Sequence, residues 1–223
     1  MSLWDIRDGT DQTTAVFELG SDPGLTPISI FLCAHGAGGN QDDRSVVAVT
    51  RAIRARGIAT VRFNFFYRAK KSGRPDQMPR LISCYRAVIA RVREEIAGCR
   101  IIAGGRSMGG RAASMLAAEG DPLDGLLLLA YPLHPPGQTA KLRAAHLSAI
   151  ESPVLCINGT RDPFSERPLM EGVLAGLGAN WRMRWIEGAD HSFHVLKSSG
   201  RTDAAVLDEL ADQAADWVKM SVR

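Results

Sequence analysis

Five consecutive residues, Leu126-Leu127-Leu128-Leu129-Ala130, leave a strand no polar face. A strand points its side chains alternately to two sides, so such a run is stable only in a sheet covered on both. Ile28 to Ala34 and Pro153 to Thr160 also read as buried strands. Thr14 to Leu19, Ile58 to Phe65, the apolar run Cys99 to Gly104 and Trp181 to Ile186 supply four more. Helical spacing falls between them, from about Asp43 to Ala55, Pro79 to Ala97, Gly110 to Ala118, Glu166 to Leu177 and Ala204 to Lys219. Strands alternating with helices give an α/β fold, a mostly parallel central sheet with helices on both faces. No repeat, low-complexity tract or linker interrupts the pattern, so residues 1–223 read as one domain. Residues 1–14 are polar and yield no element before Thr14.

The tightest constraint on chemistry is the turn Gly105-Arg106-Ser107-Met108-Gly109. It joins the apolar run before it to the Ala- and Met-rich helix after it. A serine on a sharp strand-to-helix turn is raised above the sheet edge, and the flanking glycines avoid a Cβ clash with the neighbouring strand. The helix start behind it offers free amide N–H groups to a developing negative charge. A bland role, a helix N-cap, is the competing reading of Ser107.

In a parallel sheet, ligands sit beyond the carboxyl ends of the strands. The polar candidates gather at such ends. They are His35-Gly36-Ala37-Gly38, Ser107, Asp162 in Gly159-Thr160-Arg161-Asp162-Pro163, and His191 in Gly188-Ala189-Asp190-His191-Ser192-Phe193. Together, these motifs and the elbow Gly104-Gly105-Arg106-Ser107-Met108-Gly109-Gly110-Arg111 make the chain resemble the α/β-hydrolase superfamily over nearly its whole length. It is most similar to the small, lid-poor members near the dienelactone-hydrolase-like enzymes.

That resemblance implies the order serine, acid, histidine. Ser107 would be the nucleophile, His191 the base that takes its proton, and Asp162 the carboxylate that fixes the imidazole tautomer. It implies an oxyanion hole from the backbone N–H groups of Met108 and Ala37, with Gly38 the second choice for the latter. Losing one such donor typically costs about 3 kcal/mol in the transition state. Each assignment has a competitor. Asp162 is also an Asp-Pro turn former, with Glu166 or Glu187 as substitute acids. His194 is the rival base, or a surface residue. Asp190 reads as a turn residue and His35 as a structural histidine bonding backbone.

Other chemistries fail on the letters. A dinucleotide G-x-G-x-x-G beginning at Gly36 would need glycine where Gln41 stands, and a phosphate loop would need Lys then Ser or Thr where Arg111 and Ala112 stand. Asp190-His191-x-x-His194 lacks a second ligand cluster, so neither metal nor cofactor is implied. Lys and Arg total 27 against 24 Asp and Glu, a net +3 too mild to imply nucleic acid. Met1 to Asp8 has no apolar signal core, and Leu126 to Tyr131 is too short to span a bilayer. Cys33, Cys84, Cys99 and Cys156 are scattered and read as reduced thiols. The expectation is a cytoplasmic protein, monomer or homodimer, that contacts neither nucleic acid nor membrane.

Substrate size is read from the space after Tyr131. Only Pro132 to Ser152 stands where relatives insert a cap, with room for one short helix over Thr139 to Ser148. An open, shallow site suits short esters or lactones, with Phe65, Tyr67 and Leu133, and also Phe66 and Phe164, as walls or else core. The basic loop Arg68 to Arg74 is either a solvated face or a rim favouring anionic substrates. The reading is a serine carboxylesterase working through an acyl-enzyme. The alternative is a catalytically silent hydrolase-like module that binds other proteins.

Overall fold

The computed structural model describes residues 1–21 and 28–222. Asp22, Pro23 and Gly24, the turn-forming residues after the strand read at Thr14 to Leu19, lie outside the described residues. The elements are β1 (Ser2–Asp8), β2 (Asp11–Glu18), β3 (Ser29–Ala34), α1 (Arg44–Arg54), β4 (Ala59–Phe63), α2 (Phe66–Ala69), α3 (Met78–Glu95), β5 (Arg100–Arg106), α4 (Met108–Ala118), β6 (Gly125–Leu129), β7 (Val154–Gly159), α5 (Arg167–Leu174), β8 (Trp181–Ile186) and α6 (Asp203–Ser221).

All eight strands form one sheet in the order β1-β2-β4-β3-β5-β6-β7-β8. From β4 to β8 every pairing is parallel, while β1 and β2 are antiparallel additions at one edge. Side-chain alternation sorts the core into two layers. Ile30, Leu32, Leu126 and Leu128 face α3 and α4, whereas Phe31, Cys33, Leu127 and Leu129 face α1 and α6. The four leucines of β6 are at most 1% exposed, which is why that strand carries no polar residue.

The N-terminal reading needs correction. Residues 1–14 are not featureless: β1 and most of β2 form a hairpin turned at Gly9, with φ +57°. Only Trp4 and Ile6 of β1 are buried, and Trp4 stacks on Phe17 at 5.0 Å. One apolar face of two residues gives little sequence signal, although Gly9-Thr10 makes a two-residue hairpin loop with glycine at its first position.

The segment expected to hold a short helix over Thr139 to Ser148 also differs. It is a chain of turns with one 3-10 turn at Leu147–Ala149. Its shape is held from outside: Tyr131 Oη donates to Arg143 O at 2.7 Å, Arg143 N–H to Leu133 O at 2.7 Å, and His146 Nε2 lies 2.8 Å from Ser114 Oγ. These tertiary bonds override the local helical propensity.

Candidate active site

The elbow is built by steric necessity. A Cβ on Gly105 would meet Ala34 O at 2.2 Å, and one on Gly109 would meet the same oxygen at 2.5 Å. The start of α4 can therefore lie against the end of β3 only with glycine at both positions. Between them Ser107 takes φ +51°, ψ −115°, a conformation a non-glycine residue rarely holds. Such a residue stores about 1–3 kcal/mol of strain, maintained by its surroundings. Ser107 N–H donates to Leu129 O at 2.9 Å. One strand position earlier, Tyr85 locks the elbow strand. Its fully buried hydroxyl accepts Gly104 N–H at 2.8 Å and lies 2.8 Å from Leu32 O.

The loop after β3 lies beside the serine. A Cβ on Gly36 would sit 3.7 Å from Ser107 Cβ. Gly36 to Gly39 close a turn, Gly39 N–H to Gly36 O at 3.1 Å, with Gly38 at φ +72°. Ala37 and Gly38 are exposed at its crest. Among the described residues the Ala37 N–H has no acceptor, and Met108, first in α4, has no intrahelical acceptor for its own.

His35 holds this turn from beneath. Its buried ring bonds Gly36 O at 2.7 Å through Nδ1 and accepts Phe65 N–H at 3.3 Å through Nε2. This pattern assigns a neutral ring with the proton on Nδ1. Burial lowers its pKa. His134 repeats the device across the sheet, Nδ1 to Pro135 O at 3.0 Å and Nε2 from Glu166 N–H at 3.3 Å. Both histidines bond backbone only.

Asp162 and His191 meet beyond the ends of β7 and β8. His191 Nδ1 donates to Asp162 Oδ2 at 2.8 Å, and the carboxylate side chain is 0% exposed. Its other oxygen accepts Phe164 N–H at 2.8 Å. Both oxygens thus have a hydrogen-bond donor. With Nδ1 occupied, Nε2 is the free nitrogen of a ring that is 19% exposed. Phe164 packs on that ring, centroids 4.3 Å apart. The two loops are also tied by backbone, Arg161 N–H to Ala189 O at 2.9 Å, and a Cβ on Gly159 would meet Ala189 O at 2.1 Å. Among the described residues no hydrogen bond joins Ser107 Oγ to His191 Nε2.

The rivals point elsewhere. His194 is exposed and pairs with Asp203 at the start of α6, Nδ1 to Oδ2 at 2.8 Å, a bond that raises its pKa. Asp190 Oδ1 accepts the amides of Ser192 and His194, as a turn residue does. Asp190, His191 and His194 therefore have separate partners. Glu187 lies 3.4 Å from Thr160 Oγ1, and Glu166 precedes α5.

The expected walls need revision. Phe65, Tyr67 and Leu133 are 0%, 2% and 0% exposed, so they are interior residues that offer a substrate no open face. Phe65 and Tyr67 pack edge-on to the His35 ring at 5.1 and 5.9 Å and so buttress the turn above. Phe164, partly exposed against His191, is the aromatic residue at the surface of this region. The basic loop begins in α2 and turns away, with Lys70 paired to Asp11 in the hairpin at 2.6 Å and Arg68 bonded to Ser72 O.

A parallel sheet that carries a left-handed serine between a strand and a helix, a glycine turn beside it and a carboxylate and its bonded histidine two and three strands away defines an alpha/beta hydrolase. Residues 27–219 match the family described as alpha/beta hydrolase domain, and the chain belongs to that family. Its fold is similar to that of an alpha-beta serine hydrolase homologue from Coxiella burnetii (21% identity, 96% of each chain, TM-score 0.76). It is also similar to a dienelactone hydrolase from Anabaena variabilis (19% identity, 100% of this chain and 98% of that one, TM-score 0.75). A third likeness is to a serine hydrolase without lid from Xanthomonas campestris (20% identity, 97% and 94%, TM-score 0.75). No described helix is long and apolar enough to cross a membrane.

Proposed function

We propose that this chain is a serine carboxylesterase acting on short esters or lactones through an acyl-enzyme. The observation that carries the reading is the 2.8 Å bond from His191 Nδ1 to the buried Asp162 carboxylate, which leaves Nε2 as an acceptor. A serine hydroxyl is a weak nucleophile at neutral pH and needs such an acceptor beside it. Nε2 takes the Ser107 proton as Oγ attacks the acyl carbon. The Asp162 carboxylate then stabilises the imidazolium, which returns the proton to the leaving alcohol. Water repeats the cycle on the acyl-enzyme. The Met108 and Ala37 amides, both without a competing acceptor among the described residues, hold the tetrahedral oxyanion. The Ser107–His191 bond forms with substrate in place, since catalytic hydrogen bonds in empty sites are often long.

The reading of a small substrate rests on the segment Pro132 to Ser152, a set of turns bound down against α4 and β6 rather than a cap. Phe164, beside the His191 ring, is the apolar contact for the acyl or alcohol group. The test is hydrolysis of a panel of short esters and small lactones by wild type and by Ser107→Ala. Turnover by wild type that disappears in the variant supports the reading. Equal rates in the two, or none in either, refute it.

A further inference from the structure

The residue inside the elbow, Arg106, has an environment that the proposed chemistry does not account for. It is the last residue of β5, and its side chain runs toward the α1 side of the sheet. One guanidinium nitrogen, Nη1, donates to Ser45 Oγ at the start of α1. The other, Nη2, donates to His191 O at 3.0 Å. Nε is buried and has no partner among the described residues. Among the described residues no carboxylate lies within ion-pair distance of this guanidinium. Burial lowers its pKa, and Asp43, Asp162 and Asp190 oppose that from a distance.

This arrangement is a poor way to gain stability. An unpartnered buried N–H is costly, and a guanidinium partly withdrawn from water without a bonded counter-ion adds to that cost. What the burial does secure is the backbone of the base. The loop bearing His191 follows β8, the edge strand of the sheet, and contains Phe193 at φ +60°. Within the loop, Asp190 organises the amides of Ser192 and His194. Asp162 orients the His191 ring, and Phe164 covers it. Arg106 holds its main chain, and does so from the residue adjacent to the nucleophile.

We infer that Arg106 is a positioning residue that sets the distance between Ser107 and the His191 ring by fixing the His191 carbonyl to the elbow itself. The inference rests on the proposed hydrolase reading. Because the tether starts one residue from Ser107, any small shift of the elbow carries the base with it. A misplacement of the order of 1 Å in such a pair costs about 100-fold in rate.

The site also suggests its own test. Arg106 lines a cavity of about 510 Å³ between α1, α6 and the histidine loop, with Ser45, Ser192 and Phe193 also in its wall. Truncation of Arg106 opens this space further, and free guanidinium can enter it. Kinetics on a short ester are measured for wild type, Arg106→Ala and Arg106→Lys, with thermal melts for each. The expected result for Arg106→Ala is a fall in kcat of about 10–100-fold at little-changed KM. Low, non-denaturing guanidinium restores part of that kcat, while tetramethylammonium does not. Lysine keeps one donor and gives an intermediate kcat. A structural role alone predicts neither the rescue nor the isolated kcat effect.

If Arg106→Ala does not fold, Arg106→Lys carries the test, and a several-fold loss in kcat at wild-type KM supports the inference. A folded variant with wild-type kcat overturns it, as does a loss confined to KM or one that guanidinium leaves untouched. Wild-type protein without activity would instead defeat the hydrolase reading, and this inference with it.

Discussion

The Asp162 carboxylate is fully buried yet bonds the His191 ring across the gap between two strand ends at 2.8 Å. A turn-forming aspartate has no need of that partner. The bond fixes which imidazole nitrogen carries the proton, so the first prediction concerns the tautomer. Asp162→Asn keeps the size and one acceptor but also presents a donor to Nδ1. The expected loss in kcat is about 10⁴-fold, with the melting temperature changed far less than by Asp162→Ala. Steady-state kinetics and thermal melts of the two variants check this. A loss below tenfold would reassign Asp162 to the turn.

The two histidines of the last loop separate cleanly. His191 faces Asp162 and Phe164, whereas His194 is exposed and bonded to Asp203. His191→Ala is expected to abolish ester turnover and His194→Ala to retain most of it. Initial rates on one ester decide the matter. The reverse order would place the base on His194.

At the elbow, stability and geometry are inseparable. Gly105 has φ +134°, and any Cβ there falls 2.2 Å from Ala34 O. Gly105→Ala must push β5 away from β3 or distort the turn. The expected destabilisation is about 3 kcal/mol or more, the range of overpacking combined with backbone strain. Denaturant unfolding measures it, and a variant within 1 kcal/mol of wild type would show that the elbow is slack.

Acid sensitivity should trace to a histidine outside the site. His146, bonded to Ser114 and half-buried beside Arg111, has its pKa lowered by burial, first of all, to about 4. The unfolded chain binds a proton near pH 6.5, and the folded one only near pH 4. The stabilisation is therefore complete above pH 6.5 and is lost as pH falls toward 4. Allowing for the exposed part of the ring, the loss is on the order of 1–2 kcal/mol. His146→Gln is expected to flatten the fall in melting temperature between neutral pH and pH 4.5. An unchanged slope would assign the acid response to other groups.

Much of this molecule is legible in its sequence because burial on both sides of a parallel sheet leaves a strong signature. The runs at Ile28, Leu126 and Val154 are strands within a residue or two of where their composition puts them. Ser107 can be read because two glycines must flank a left-handed residue packed under a neighbouring strand. The hairpin of β1 and β2 is not legible, since Trp4 and Ile6 alone point inward along β1. Nor is the shape of Pro132 to Ser152, which long-range bonds from Ser114 and to Arg143 O determine. The mistaken walls have a similar cause. Phe65 and Tyr67 follow a strand end, as site residues do, but the histidine ring beneath the glycine turn claims their surfaces. Arg106 left no mark beyond filling a variable place in a motif, and its bond to His191 O spans 85 residues of chain.

Everything proposed about activity depends on an activated hydroxyl at Ser107. Labelling with a fluorophosphonate, followed by mass spectrometry of the modified peptide, tests this most directly. The account predicts one adduct per chain, on Ser107, lost in Ser107→Ala and strongly slowed in His191→Ala. Absence of labelling in folded wild-type protein, or an adduct that persists in Ser107→Ala, would contradict it.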